Sequence, residues 1–357
     1  MILLNYPEFL HDMSFDLSKI AISAKSERTC IVSIGKSAFF MYEKFILARQ
    51  EYKNCKTMII SPFRSAAQYG NNVETAVSTH PEITEKSFIA FEKLYKFILG
   101  SSPEHIIVLI SGGSSALIEK SGDPEKICRL NSELLRSGLP ITEINRARIS
   151  SSMIKGGKLA EMFPEISWSI LVMSDIPSEN GEYLVGSMPF FRKDLPNTEL
   201  FKIADSDTLH DEILRILGRK EIFSIRMFNG TVDELAGIIL QKMRNGTKDI
   251  LITGEPVLKV DNPDPGTGGR MCHLALKMLP HLESDSIFYA LSSDGMDGNS
   301  GFAGAVIEHP EMKPDISGIN EALTNYNSAH LLFKWGMCIK TGYTGLNLND
   351  FVIFSRS

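Results

Sequence analysis

Cysteine is scarce in this 357-residue chain, and the five present (Cys30, Cys55, Cys128, Cys272 and Cys338) are odd in number, widely spaced and free of any C-x-x-C pair. That pattern argues against a disulfide scaffold and fits the reduced thiols of a cytoplasmic protein. The eight histidines show no H-x-x-x-H spacing, so a zinc centre built from protein ligands alone is not expected. No run approaches the roughly 18 continuous apolar residues of a membrane span. The first residues, Met1-Ile-Leu-Leu-Asn-Tyr-Pro7, are apolar but have neither a basic leader region nor a small-residue cleavage site, and read as a packed first element. Positive charge is also short. The formal net charge of -6 argues against general affinity for nucleic acid or an anionic membrane, so basic residues that meet an anionic ligand must be gathered locally.

The rest of the composition is that of a globular protein, 43% hydrophobic and 22% charged, and the length exceeds what one core usually supports. Short apolar runs alternate with amphipathic stretches. Strands are expected at 30–34, 106–110, 169–173, 249–253 and 287–291, with a last apolar run at 351–354. Helices are expected at 38–48, 84–99, 124–138, 208–217, 231–245, 270–279 and 320–334, with Thr84 as a cap, Gly100 as a stop and a capping box at Thr231. The fold class is α/β in two domains, the first Rossmann-like, with mostly parallel sheets covered by helices. Signals weaken between Pro189 and Asn229, which puts the boundary near 230, giving domains 1–230 and 231–357.

Chemistry is concentrated where these strands end, the edge at which open α/β sheets bind ligands. Gly35-Lys36-Ser37 is not a phosphate-wrapping P-loop, because Cys30 occupies the place of that motif's first glycine; Lys36 reads as a single cation at a strand end, or a surface lysine. Ser111-Gly112-Gly113-Ser114-Ser115 joins a buried strand to a helix and reads as an anion cradle of backbone amides, against a turn that needs glycine for geometry alone. Lys155-Gly-Gly-Lys158 repeats the theme weakly, and Asp175 is either a Mg²⁺ ligand or a cap. In the second half come Gly254-Glu255, then Gly268-Gly269-Arg270 at a helix start, and Asp294-Gly-Met-Asp297-Gly298. The last lacks the alternating ligands and closing glutamate of a calcium loop. No G-x-G-x-x-G fingerprint is present, since Met271 stands where its last glycine would be.

Taken in order, these strings resemble the glycerate 2-kinase family, whose C-terminal half is the MOFRL domain. The match runs through Gly35-Lys36, His80-Pro81, 109–117, Leu134 to Gly138, Glu143 to Asn145, 154–160 and Ser174-Asp175. It continues through Gly254-Glu255, Gly268 to Arg270, 294–298, Ala303 to Ala305 and Thr341 to Asp350. After Asp175 the chain departs from the family, reading Ile176-Pro-Ser-Glu-Asn-Gly181. The resemblance implies ATP-dependent phosphorylation of D-glycerate on its 2-hydroxyl, with Mg²⁺ or another divalent cation, in a cleft between two α/β domains. It makes Lys36 and Arg270 the catalytic residues. Ser111, Gly112, Gly113, Ser114, Ser115, Lys155, Gly268 and Gly269 would bind ATP phosphates. Asp175, Glu255, Asp294 and Asp297 would serve substrate, metal or base, with Asp175 and Asp294 as metal ligands. Partners would be small molecules, with no nucleic acid or membrane, and a homo-oligomer left open. Two rivals remain: an NAD(P)H-dependent hydroxypyruvate reductase, disfavoured by the missing dinucleotide fingerprint, and a non-catalytic sugar-acid-binding protein, which has no spare segment for a partner module.

Overall fold

The computed structural model describes residue 22 and residues 28–356, except 140, 177–179, 220 and 309–315. The apolar segment 1–7 lies outside the described residues. The chain divides into two compact units, one ending at Ala204 and the other beginning at Asp205.

The first unit holds the strands β1 (Thr29–Ile34), β2 (Lys56–Ser61), β3 (Val73–Val77), β4 (His105–Ile110), β5 (Ser167–Met173) and β6 (Thr198–Ala204). Their order is β3-β2-β1-β4-β5-β6, and every pairing is parallel. This is the doubly wound arrangement, in which the strand order reverses between β1 and β4. β1 and β4 are buried along their whole length, as strands covered on both faces must be. Val32, Ile34, Ile106, Val108 and Ile170 pack against Phe91, Leu94 and Ile98 of the helix Glu85–Ser101. Thr84 caps that helix in a box with Ser87, but Gly100 does not stop it; Ser102, left-handed at φ 45, does.

The second unit contains β7 (Phe223–Phe228), β8 (Asp249–Gly254), β9 (Ser286–Ser292), β10 (Gly304–Glu308), β11 (Cys338–Ile339) and β12 (Asp350–Arg356), in the order β11-β10-β9-β12-β8-β7. This sheet is mixed. β7, β8, β9 and β11 run one way, while β10 and β12 run against them, and β12 inserts between β8 and β9. Met271, Leu274, Ala275 and Met278 of the helix Arg270–Met278 lie in its core with Ile252, Phe288, Ala290 and Val352. The helix expected at 320–334 is two, Ile316–Thr324 and Ser328–Lys334, parted at Tyr326, whose φ of 52 no helix interior adopts.

The division at 204–205 comes earlier than the expected 230. β7 pairs in parallel with β8, and the helix Ser206–Leu217 is tied to β8 by a hydrogen bond of 2.9 Å between His210 Nδ1 and Thr253 Oγ1. The weak region 189–229 conceals β6 and β7, which close the first sheet and open the second. No helix among the described residues is long and apolar enough to cross a membrane.

Candidate active site

In the first sheet β1, β4 and β5 lie side by side, so the residues that follow them collect at the switch point. The Lys36 N–H donates to the Gly112 carbonyl at 2.9 Å and the Ser37 N–H to Ser111 Oγ at 3.0 Å, which stitches the turn after β1 to the turn after β4. At Gly112 a Cβ would stand 1.9 Å from Asp175 Oδ2, so only glycine lets this turn press against the carboxylate that follows β5. Gly113, left-handed at φ +82, has Lys36 Cγ and His80 Cδ2 each 3.0 Å from where a Cβ would be. Lys36, His80 and Asp175 therefore flank one glycine pair. Burial, then the nearby cations Lys36 and Arg148, hold the His80 imidazole down to about 4 although the residue keeps an exposed side, so it is neutral at pH 7.

The serines of this turn act on the protein itself. Ser111 Oγ accepts from Ser37, Ser114 Oγ donates to the Ser111 carbonyl at 2.8 Å, and Ser115 Oγ meets Ser187 Oγ at 2.8 Å, with Ser187 donating on to Asn145 Oδ1 at 2.8 Å. The amides of residues 112–115 have no protein acceptor among the described residues.

Lys155 corrects the sequence reading. It is 1% exposed and paired with Glu119 Oε2 at 2.5 Å, while Ser152 Oγ donates to Glu119 Oε1 at 2.6 Å. Its ammonium is satisfied inside the protein and is not presented to a phosphate. Arg148, also buried, donates from Nε and Nη2 to Asn131 Oδ1 at 3.1 and 2.8 Å. Burial pushes both cations down, and Glu119 opposes the shift.

In the second sheet Glu255 follows β8, Asp294 follows β9, and Arg270 begins a helix. Arg270 Nη1 donates to Glu255 Oε1 at 2.9 Å, Nη2 faces Asp350 Oδ1 at 3.5 Å, and Nε is in ion-pair contact with Asp350 Oδ2. Asp350 is 1% exposed; burial pushes its carboxyl up to about 7 even though Arg270 and Ser292 favour its anion. Arg270 is raised: burial disfavours its charge, but Asp350 and Glu255 outweigh that. Asp297 is a second correction. Buried, it accepts from the Met271 and Cys272 N–H groups at 3.0 and 2.7 Å, which ties it to the N-terminus of the helix Arg270–Met278. The Gly268 N–H is likewise spent on Asn299 Oδ1 at 2.8 Å, so that glycine serves the loop. Asp294 remains half-buried, its Oδ1 accepting from Ser292 Oγ at 3.1 Å and the Met296 N–H at 2.8 Å.

Asp350, Asn349, Glu119 and Arg148 carry much of this geometry, and none of them stands out in the sequence as a site residue, although Asn349 and Asp350 lie in the last matching string. Asp350 had a usable signal: it precedes the last apolar run. In an antiparallel strand the residue at the ligand edge stands at the start of the run and not at its end.

Residues 8–217 match a family described as a domain of unknown function, DUF4147, and residues 249–350 match the MOFRL family. A glycerate 2-kinase of Sulfurisphaera tokodaii is 31% identical over 366 residues, covering 90% of this chain and 88% of its own. One from Picrophilus torridus is 27% identical, covering 94% and 90% of the two chains. The solved structure of a glycerate kinase from Thermotoga maritima superposes with a TM-score of 0.82 at 23% identity, covering 99% of this chain and 98% of that one, which is a likeness of fold.

Proposed function

The chain belongs to the glycerate 2-kinase family, an enzyme with a DUF4147 half followed by a MOFRL half, and from that premise we propose that it transfers the γ-phosphoryl group of ATP to the 2-hydroxyl of D-glycerate, giving ADP and 2-phosphoglycerate. Such transfer asks a protein for positioning and charge neutralisation more than for covalent chemistry. The observation that carries the reading is the glycine pair at the β1–β4 switch point, where free amides, Lys36 and Asp175 converge.

In this account the amides of residues 112–115 hold nucleotide phosphates and Lys36 neutralises the transferring group. Arg270 contributes a fixed guanidinium edge to the same reaction, and Glu255 or Asp294 accepts the proton of the 2-hydroxyl. No group of three or more His, Cys, Asp or Glu side chains among the described residues is arranged to hold a metal. Mg²⁺ is commonly bound by one or two carboxylates together with substrate phosphates, and the single carboxylates Asp175 and Asp294 fit that pattern. When bound, such an ion would offset phosphate charge. Lys155 is reassigned to the interior, where it holds Glu119.

The test is ADP release by the purified protein with ATP, D-glycerate and Mg²⁺, run beside NADH with hydroxypyruvate. Glycerate-dependent ADP and a flat NADH absorbance are expected. Steady NADH oxidation with no glycerate-dependent ADP would replace the kinase by the reductase.

A further inference from the structure

β12 is antiparallel to both its neighbours, so its first residue, Asp350, stands in register with Gly254 at the end of β8 and with Ser292 at the end of β9. β12 thus starts at the edge where β8 and β9 end, beside Glu255 and Asp294, as β10 also does beside β9. From there its carboxylate faces the Nε–Nη2 side of Arg270. The preceding residue, Asn349, left-handed at φ 69, donates from Nδ2 to Glu255 Oε2 at 3.3 Å. Two consecutive residues therefore hold the two members of the Arg270–Glu255 pair, Asp350 the guanidinium and Asn349 the carboxylate.

Fully burying a carboxylate is costly, and nothing in the sheet calls for one, since the strand continues as Phe351-Val-Ile-Phe354. We infer that Asp350 is a positioning residue for Arg270, fixing which edge of the guanidinium meets the substrate anion; the inference rests on the role given to Arg270 above. A guanidinium carries five N–H groups in a rigid fork. Asp350 occupies the Nε–Nη2 side and Glu255 one hydrogen of Nη1, which leaves one N–H on each terminal nitrogen. Two such donors match one edge of a carboxylate or phosphate. A lysine of equal charge cannot hold two carboxylates and still offer a paired edge.

The experiment is a double-mutant cycle on the full chain, with kcat and glycerate KM measured for the wild type, Asp350→Asn, Arg270→Ala and the double variant. Asp350→Asn should lower kcat by about 10–10²-fold, the scale of a misplaced catalytic group, with a smaller change in KM. In the Arg270→Ala background the same substitution should change kcat by less than about twofold, because the group it positions is gone. Equal losses in both backgrounds would overturn the inference and leave the role of Arg270 standing. Wild-type turnover by Arg270→Ala would overturn both. Should Asp350→Asn fail to fold, Arg270→Lys decides: turnover close to that of Arg270→Ala supports a positioned edge, and turnover close to the wild type means that charge alone suffices.

Discussion

Lys36 and Lys155 look alike on paper, each a cation beside glycine, and the structure separates them completely. Lys36 is half-buried next to amides with no protein acceptor among the described residues, whereas Lys155 lies inside against Glu119. Opposite consequences follow from removing their charges. Lys36→Ala should lose on the order of 10²–10³ in kcat with an unchanged melting curve, as for other single electrostatic donors. Near-normal turnover would reduce Lys36 to a helix-start lysine. Glu119→Gln should instead act on the fold, because it strands a fully buried ammonium; a loss of about 3–5 kcal/mol is expected from urea unfolding. A loss below about 1 kcal/mol, the value of an exposed pair, would mean that Lys155 is not isolated from water. Position beside glycine at a strand end was readable from sequence. The partner that decides burial was not, since Glu119 lies 36 residues away in the chain. Asp297 teaches the same point: a carboxylate in a Gly-rich string resembles a ligand until the helix N-terminus it closes is seen.

Strands and helices with strong periodicity were readable, and so was the turn after β4. The cap residues Thr84, Asp123 and Thr231 all accept from the first turn of their helices, because a hydroxyl or carboxylate ahead of an amphipathic stretch is a local signal. Strand direction is not local. The short runs β10 and β12 carry the same Val/Ile/Phe content as parallel strands, and only pairing across the sheet reverses them. The turn itself can be tested through Gly112→Ala, whose added methyl would collide with the Asp175 carboxylate. Activity should fall at least tenfold while β4 keeps its hydrogen-exchange protection; full activity would show that Asp175 can move aside at no cost.

His210 joins the helix Ser206–Leu217 to β8 and is fully buried. Burial first, then Arg226, lowers its imidazole from 6.5 to about 4. The folded state therefore binds fewer protons than the unfolded chain between these values, and this contribution to stability is lost as pH falls from 6.5 towards 4. Asp350 works the other way, its carboxyl raised from 3.8 to about 7, so its contribution is lost as pH rises through that window. His210→Gln should leave a stability curve that declines less on the acid side of 6.5, and Asp350→Asn one that declines less towards 7. Parallel curves for variants and wild type would show that neither group titrates differently on folding.

For the whole chain, two α/β units each collect chemistry at one sheet edge, and the family gives both to one enzyme. The ordered set of short motifs across both halves was readable; the division at 204–205 was not, because β6 and β7 mix polar and half-exposed residues and form no continuous apolar run. The proposed reaction is regioselective. Glycerate has a primary and a secondary hydroxyl, and the primary one is less hindered. Transfer to the secondary hydroxyl requires the neighbouring carboxylate to be pinned so that the 2-oxygen lies in line with the γ-phosphorus. A clamped arginine suits that task because its donors fix orientation as well as distance. The deciding measurement couples the reaction of the purified protein with ATP and D-glycerate to enolase, without phosphoglycerate mutase, and follows phosphoenolpyruvate. Immediate phosphoenolpyruvate formation is predicted, since 2-phosphoglycerate is the direct substrate of enolase. A signal that arises only when the mutase is added would place the phosphate on carbon 3 and contradict the account.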